Sequence, residues 1–568
     1  MLRLKPFLAI TILFLMIVIH PEFLFSGVIE KGDTLLIGNH KPDGSLSGAL
    51  DYWIYNDVDE NGKQKHKVYE LYRDSVYLVE NVIRFDEDIQ IVAQKPTKDK
   101  RPPVVRPGLK PDGTTPPWLF EFHESAVLKN LWITGIRPDG VGACGQYVIN
   151  VVDHEGTSYT FDGLIIEAPY TGWAAVQGTG SGRSTWKILN CLVFSVGMPG
   201  VKWNGVVFCE SGPGIPKDSV ICRNSTFFNV GGYTADCEGP TLYGEFKNNT
   251  LVNTWTQSHQ FNWIVECHVE NNIFYNCYMA SEDIEEVNNR VPTKDVHGLV
   301  HLFELDSLTR DSLFCKMKGY DPNGDGHFAE DERVYTLKNN VYYWIPEVIE
   351  WWNNNEFGVL PQKWMADYIK EHFFDNDEGY PNFVDSNNVN VDPQFNVEVC
   401  DPEVIIGNLN GIWDPWKDGV YYFHEPPDAL LTFEWPIEDY IDLSYNANLV
   451  DDKGNPLGDP RWWKEAGIEE DKKLKPVAFE LYQNYPNPFN STTSIKYEIK
   501  QKSKVKLYIL NSRGQIVRIL VNGRQDVGLY KITWDGRDDN GHVLSSGVYF
   551  YKLEGKYKSI VKKMVFLK

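Results

Sequence analysis

Beyond Ile19 no stretch of the sequence is long and apolar enough to cross a bilayer as a helix, so the chain is not expected to be an integral helical membrane protein. Cysteine is missing from both ends. All nine lie between Cys144 and Cys400, and an odd number leaves at least one unpaired or bridged to another chain. No paired Cys-x-x-Cys metal site, phosphate-cradling loop or nucleophile elbow occurs. Basic residues are in deficit, with 55 Lys and Arg against 78 Asp and Glu and a formal net charge of −23. Phosphate contacts need a basic surface, so no nucleic-acid partner is expected.

What is present is a chain of 568 residues with ordinary globular composition, which at ~100–200 residues per domain suggests about three domains. Aromatics reach 14%. Their flat amphipathic faces fill cores and also suit sugar rings or partner surfaces. Arg3 and Lys5 precede the apolar run Phe7 to Ile19, a length of about 13 residues that is short for a membrane span and fits a secretory signal peptide, assigned to 1–26. Leu24 and Phe25 fit a small-x-small cleavage site poorly. Export permits disulfides, but several cysteines fall on core positions of the repeat described below, and buried thiols are favoured.

The segment from Val477 to Lys568 reads as a small all-β unit after a linker at 470–476. Ser494–Ile499, Val505–Leu510 and Gly547–Leu553 alternate apolar and polar residues. Turn signals sit at Arg513-Gly514, Asn522-Gly523, Asp539-Asn540-Gly541 and Glu554-Gly555, a spacing that argues a sandwich. From Pro476 onward 16 Lys and Arg face 7 Asp and Glu, so the body is more acidic than the whole-chain charge implies. The opening Asn484-Tyr-Pro-Asn-Pro-Phe-Asn490, then Gly528 to Gly541, Ser546 to Tyr551 and the closing Lys563-Met-Val-Phe-Leu-Lys568, resemble the type A C-terminal sorting domain of the type IX secretion system. The second half is shared with the Ig-like domain of flagellar hook-capping proteins. The resemblance implies an Ig-like β-sandwich that engages the type IX machinery and carries the protein through the periplasm to the outer-membrane surface or the medium. No chemistry is expected there; Trp534 reads as a core anchor.

The body reads as a repeat. Segments at Val127, Thr160, Ile188, Cys222, Phe246, Val269 and Leu337 share an apolar residue, any residue, an Asn-rich turn pair and a short apolar run. The first turn positions are read as Lys129, Asp162, Asn190, Asn224, Asn248, Asn271 and Asn339. A period near ~23–34 residues with a fixed turn column predicts a right-handed parallel β-helix over 27–345, in which stacked coils bury one continuous core. Asn suits the column because it tolerates left-handed backbone geometry and can bond to the Asn of the next coil. The region resembles the pectate-lyase-like superfamily in pattern, not in catalytic motif. Residues 346–469 are irregular and are assigned to capping the solenoid or folding back along it. The fold class is therefore all-β, a β-helix followed by an Ig-like sandwich, and the protein is taken as a monomer.

Alternation in the strand before the turn sends Cys222, Phe246 and Val269 inward and groups Arg223, Tyr243, Glu245, Lys247, Glu266, His268 and Glu270 on the outer face. Those residue types could serve β-elimination on a uronic-acid polysaccharide. Lys247, His268 or Tyr243 would abstract the proton α to the carboxyl group, and Arg223 would stabilise the enolate-like intermediate. Paired carboxylates among Glu245, Glu266 and Glu270 would instead suit glycoside hydrolysis. The bland reading is a solvated strand face with cross-strand ion pairs. Separately, Asp321, Asn323, Asp325, His327 and Glu332 fall at the ligand spacings of an EF-hand-type calcium loop, with Gly326 at the sharp turn and Ala329 leaving a water-mediated position. Such an ion would be structural rather than catalytic. The expected function is that of an exported protein acting on polysaccharide, lyase before hydrolase, with a non-catalytic glycan-binding or adhesive surface protein as the alternative. Unpaired basic groups in a groove favour the enzyme; mutual pairing favours the second class.

Overall fold

The computed structural model describes residues 27–138, 142, 144, 147–152, 154–169, 174–179, 183–197, 206–209, 217–236, 241–255, 264–280, 298–300, 302, 329–395, 402–413, 443–445, 448–463, 479–487, 489–499, 503–511, 516–525, 528–539, 541–555 and 559–567. The regions assigned to the signal peptide and the linker lie outside them. The chain forms two compact units, Met1–Lys464 and Glu465–Lys568.

The first unit is built from three sheets that the chain visits in turn. The first sheet has twelve strands among the described residues, from Val28–Lys31 to Phe383–Ser386. The second has ten and the third six, and all the pairings in these sheets are parallel except the opening hairpin Val28–Lys31 with Thr34–Ile37. A typical circuit runs Lys217–Arg223, then Thr226–Val230, then Ala235–Asp236, and the next begins at Thr241–Lys247. This is the arrangement of a β-helix-like core in an all-β protein. Parallel pairing puts like positions above one another, so inward residues form columns. Tyr69, Ile91, Leu128, Phe161, Ile188, Cys222, Phe246, Val269 and Leu337 make one such column, each at most 1% exposed.

The corner between first and second sheets is a two-residue turn whose first residue takes φ between 52° and 59° at Asn130, Asn190, Asn224, Asn248, Asn271, Asn339 and Asn387. Asparagine and glycine are the residues that adopt this left-handed geometry at least cost; Gly163 takes it in the circuit between those of Asn130 and Asn190, at φ 64°. The turn column therefore starts at Asn130 and Gly163, not at Lys129 and Asp162. Those two pair in register with Leu189, Arg223 and Lys247 as the last residues of their strands. The repeat also runs beyond 345. Phe383–Ser386, the turn Asn387-Asn388 and Val389–Asn390 add a further rung inside the segment expected to be irregular.

From Asn249 onward the second turn residue is an asparagine that knits circuits together. Asn249 N–H and Nδ2 both donate to Asn272 Oδ1 at 2.9 and 3.0 Å, Asn272 does the same to Asn340 Oδ1, and Asn340 to Asn388 Oδ1. Each Nδ2 also reaches the carbonyl of an inward residue in the preceding circuit, Cys222, Phe246, Val269 or Leu337. Residues 443–445 and 448–463 then lie back along the second sheet. Leu443 and Trp462 pack with Val104, Trp132, Ile165, Leu192, Phe194 and Val252, while Asp459 accepts the Thr226 hydroxyl at 2.6 Å. Gly458, at φ 75°, is required here because a Cβ would stand 2.6 Å from Thr250 Oγ1.

The cysteines described in full, Cys144, Cys191, Cys222, Cys267 and Cys277, are buried free thiols, as the repeat register predicts. Burial pushes the thiols of Cys144, Cys191, Cys267 and Cys277 up to about 12.

The second unit is a small antiparallel sandwich. Phe479–Leu481, Thr493–Ile499 and Gly528–Trp534 form one sheet, and Ile516–Gln525, Ser503–Leu510, Gly547–Gly555 and Ser559–Phe566 the other. Trp534 anchors its core at 1% exposure, with Nε1 donating to the Arg537 carbonyl. Asn522-Gly523, expected as a turn, instead lies within a ten-residue strand, Gly523 opposite Val505.

Replacing Asn272 by Ala strips the buried Asn249 amide of its acceptor and is expected to lower the unfolding free energy by about 1–3 kcal/mol. Urea titration followed by circular dichroism measures it; a loss below about 0.5 kcal/mol, the range of ordinary surface substitutions, would mean that the ladder contributes little.

Candidate functional site

The sequence-predicted patch is assembled by three consecutive strands of the first sheet, Lys217–Arg223, Thr241–Lys247 and Ile264–Glu270. Their register sets Arg223 beside Lys247 and Glu270, Ile221 beside Glu245 and His268, and Ser219 beside Tyr243 and Glu266. All seven candidates are brought to one face.

They are also bonded to one another. Arg223 clasps Glu245 with two nitrogens, Nε on Oε1 and Nη2 on Oε2 at 2.7 Å. The Tyr243 hydroxyl donates to Glu245 Oε2 at 2.8 Å. Lys247 Nζ stands 3.6 Å from Glu245 and 3.5 Å from Glu270. His268 Nε2 meets Glu266 Oε1 at 2.9 Å. Its buried Nδ1 makes no hydrogen bond and faces Glu270 Oε1 at 3.5 Å, an electrostatic contact too long for a good hydrogen bond.

Glu245 is the hub and is only 2% exposed. Burial alone would raise its carboxyl, but hydrogen bonds from Arg223 and Tyr243, with Lys247 and Arg223 charges, outweigh it and hold the group below the usual range. The bond to Glu245 raises Arg223, and burial together with the same carboxylate pushes the Tyr243 phenol well above its usual value. His268 is raised, first by Glu270 and then, against burial, by Glu266; Glu270 is lowered by His268. A phenol driven upward and an imidazole biased towards its charged form are poor bases at neutral pH.

Of the calcium-loop residues, Asp321, Asn323, Asp325 and His327 lie outside the described residues. Glu332 ends the short turn Glu330–Glu332, and its Oε2 accepts the Ala329 N–H at 2.9 Å. Among the described residues no group of three or more His, Cys, Asp or Glu is placed to hold a metal, and no helix is long and apolar enough to cross a membrane.

A second polar group was not anticipated from the sequence. It lies on the third sheet, where Glu121 of Phe120–Phe122 is bonded to His123 and to Asn150 of Ile149–Val151. Strands of three residues carry no readable alternation; the only signal is the unlike pair Trp118 and Tyr147 at one position in adjacent circuits.

Comparison with known proteins bears on the second unit. Residues 487–559 match the family model of the FlgD Ig-like domain, and the chain carries that Ig-like domain at its C-terminus. No curated protein matches the chain. Among solved structures, PorZ, described as an essential bacterial surface component of the type IX secretion system of Porphyromonas gingivalis, is 18% identical over 16% of this chain and 11% of its own, with a TM-score of 0.12. The C-terminal Ig-like domain is consistent with a secreted or cell-surface location.

Because Glu245 is lowered, the stability it supplies is present above its ordinary value of 4.5 and is lost as pH falls through its folded-state value. Glu245→Gln is expected to cost about 1–3 kcal/mol at pH 7, discounted for the half-exposed Arg223, and to flatten the acid limb of the stability profile. Equal profiles for variant and parent in denaturant titrations from pH 7 to pH 3 would contradict this account.

Proposed function

We propose that the chain is an exported right-handed parallel β-helix protein, delivered to the bacterial surface by a type IX-type sorting domain, that binds polysaccharide without cleaving it. The observation that carries this reading is the closed pairing of Arg223, Lys247 and His268. A lyase needs a cation free to neutralise a substrate carboxylate and a base free to take a proton. Here each cation already has a carboxylate, and freeing Arg223 would leave Glu245 buried and uncompensated. The face serves as the charged outer wall of the solenoid. Support for the handedness is the cyclic visiting of three parallel sheets, since parallel crossovers are right-handed in about 98% of cases. Support for glycan as the ligand is the aromatic content of 14%, including 18 Trp. The loop 321–332 adds a structural calcium, on the strength of its ligand spacing.

Incubated with polygalacturonate, alginate and hyaluronate, with and without Ca²⁺, the full chain is expected to give no rise in the ultraviolet absorbance of unsaturated products and no new reducing ends. A rise abolished by Lys247→Ala or Arg223→Ala would overturn the reading and make the patch a lyase site. The melting temperature is expected to fall when EGTA removes Ca²⁺ and to recover on its return; an unchanged value would dismiss the calcium loop.

A further inference from the structure

Three consecutive strands of the third sheet, Ile83–Phe85, Phe120–Phe122 and Ile149–Val151, are three residues long, so each turns one residue outward. In register those residues are Arg84, Glu121 and Asn150. Asn150, 5% exposed, donates Nδ2 to Glu121 Oε2 at 3.1 Å and accepts the Thr179 hydroxyl on Oδ1 at 3.1 Å. Glu121 Oε1 meets His123 Nε2 at 2.9 Å and Arg84 Nη1 at 3.6 Å. Arg84 also holds Asp86 through Nε at 3.0 Å while half its side chain stays in solvent.

Aromatic rings border this polar strip at the start of the strands. Leu119 N–H bonds the Val148 carbonyl at 2.8 Å, so Trp118 and Tyr147 occupy the same position in consecutive circuits, their centroids 5.0 Å apart and their planes 36° apart. Both are only partly buried. The indole N–H of Trp118 has no acceptor among the described residues. Tyr55, 44% exposed, borders the strip at the strand Ile83–Phe85: its hydroxyl bonds the Val82 carbonyl and receives the Arg84 N–H at 3.4 Å. Glu121 lies close enough to add, after burial, to the upward shift of the Tyr55 and Tyr147 phenols. At the other end of the strands His123 and His154 stand with ring centroids 6.4 Å apart.

Partly exposed aromatic faces beside a row of fixed carboxylate, amide, imidazole and guanidinium groups match a sugar ring, which offers a flat C–H face and a rim of hydroxyls. Charge selects among sugars. Among the described residues the strip holds two carboxylates, Glu121 and Asp86, against the permanent cation Arg84, which both already engage. A uronate would bring a third negative charge with no free cation to meet it, whereas a hydroxyl can donate to Glu121 and accept from Asn150 or Arg84. Consecutive circuits rise ~4.8 Å, so a ligand of two or three sugar units spans the row from Arg84 to Asn150.

We propose that the outer face of the third sheet, from Tyr55 and Arg84 through Trp118 and Glu121 to Tyr147 and Asn150, is a contact site for a neutral polysaccharide. This assignment rests on the glycan-binding reading above and gives that reading its site and ligand class. It places recognition on a different face from the Arg223–Glu245 network.

Affinity electrophoresis of the full chain through gels containing hydroxyethyl cellulose, mannan, polygalacturonate or hyaluronate tests it. At least one neutral polymer is expected to retard the protein, and Trp118→Ala and Glu121→Gln each to weaken that retention about tenfold. Glu121→Gln keeps the side-chain volume, so it holds the test open if Trp118→Ala misfolds by circular dichroism. Lys247→Ala, on the other face, is expected to change nothing. Retention by a neutral polymer that neither variant weakens would overturn the site and leave the glycan-binding reading standing. Retention by the polyuronates alone would overturn the neutral ligand class, and no retention by any polymer would overturn both.

Discussion

The asparagine ladder at the four corners from Asn249 to Asn388, between the first and second sheets, is the constraint on which this part of the body depends. A chain turning sharply between two parallel sheets leaves backbone amides and carbonyls facing inward, and buried polar groups must find partners. Asn249, Asn272, Asn340 and Asn388 supply those partners between circuits, and the first three each span three successive circuits. The residue before each of them must be left-handed, so the turn demands two consecutive residues with different abilities. Once that corner is set, the phase of every strand leading into it follows.

The fixed phase dictates the outer wall. Strands of six or seven residues in the first sheet stack side chains at ~4.8 Å, and like charges directly opposite one another are destabilising. Lys129 with Asp162, Lys247 with Glu270 and Arg223 with Glu245 resolve that problem by alternating sign between circuits or along a diagonal. A long-stranded parallel face rich in charge therefore tends to neutralise itself. Residue types suited to acid–base chemistry recur on such a wall because the lattice needs pairs, and their co-location alone does not make a catalytic centre.

Much of this was legible because two independent periods coincide. Alternation of two fixes which of Cys222-Arg223, Phe246-Lys247 and Val269-Glu270 points out, and the Asn column fixes where each strand ends, so the cross-circuit partners follow. The errors came where one signal stood alone. At Leu128-Lys129-Asn130 and Phe161-Asp162-Gly163 the turn pair was placed one residue early, because the first polar residue was matched instead of the first residue able to adopt positive φ. The rung at Asn387-Asn388 was overlooked since Phe383-Val-Asp-Ser386 has no apolar alternation, its side chains lying near the end of the stack where a single buried Phe383 suffices. Asn522-Gly523 looked like a hairpin turn from composition, yet strand pairing on both sides of it overrode the local preference.

The contrast between the two faces follows from strand length. In a seven-residue strand three or four outward side chains per circuit have neighbours above, below and diagonally, so each charge finds a partner within the sheet. In a three-residue strand one outward side chain per circuit is flanked at once by corner residues, and those corners are free of the ladder. Trp118 and Tyr147 are such corner residues, unlike in type from one circuit to the next at a position where the interior columns repeat apolar residues. A solenoid must repeat wherever it stacks; it can vary only where the stack is interrupted. Recognition of anything other than another strand is therefore best built where strands are short, as at Ile83–Phe85, Phe120–Phe122 and Ile149–Val151.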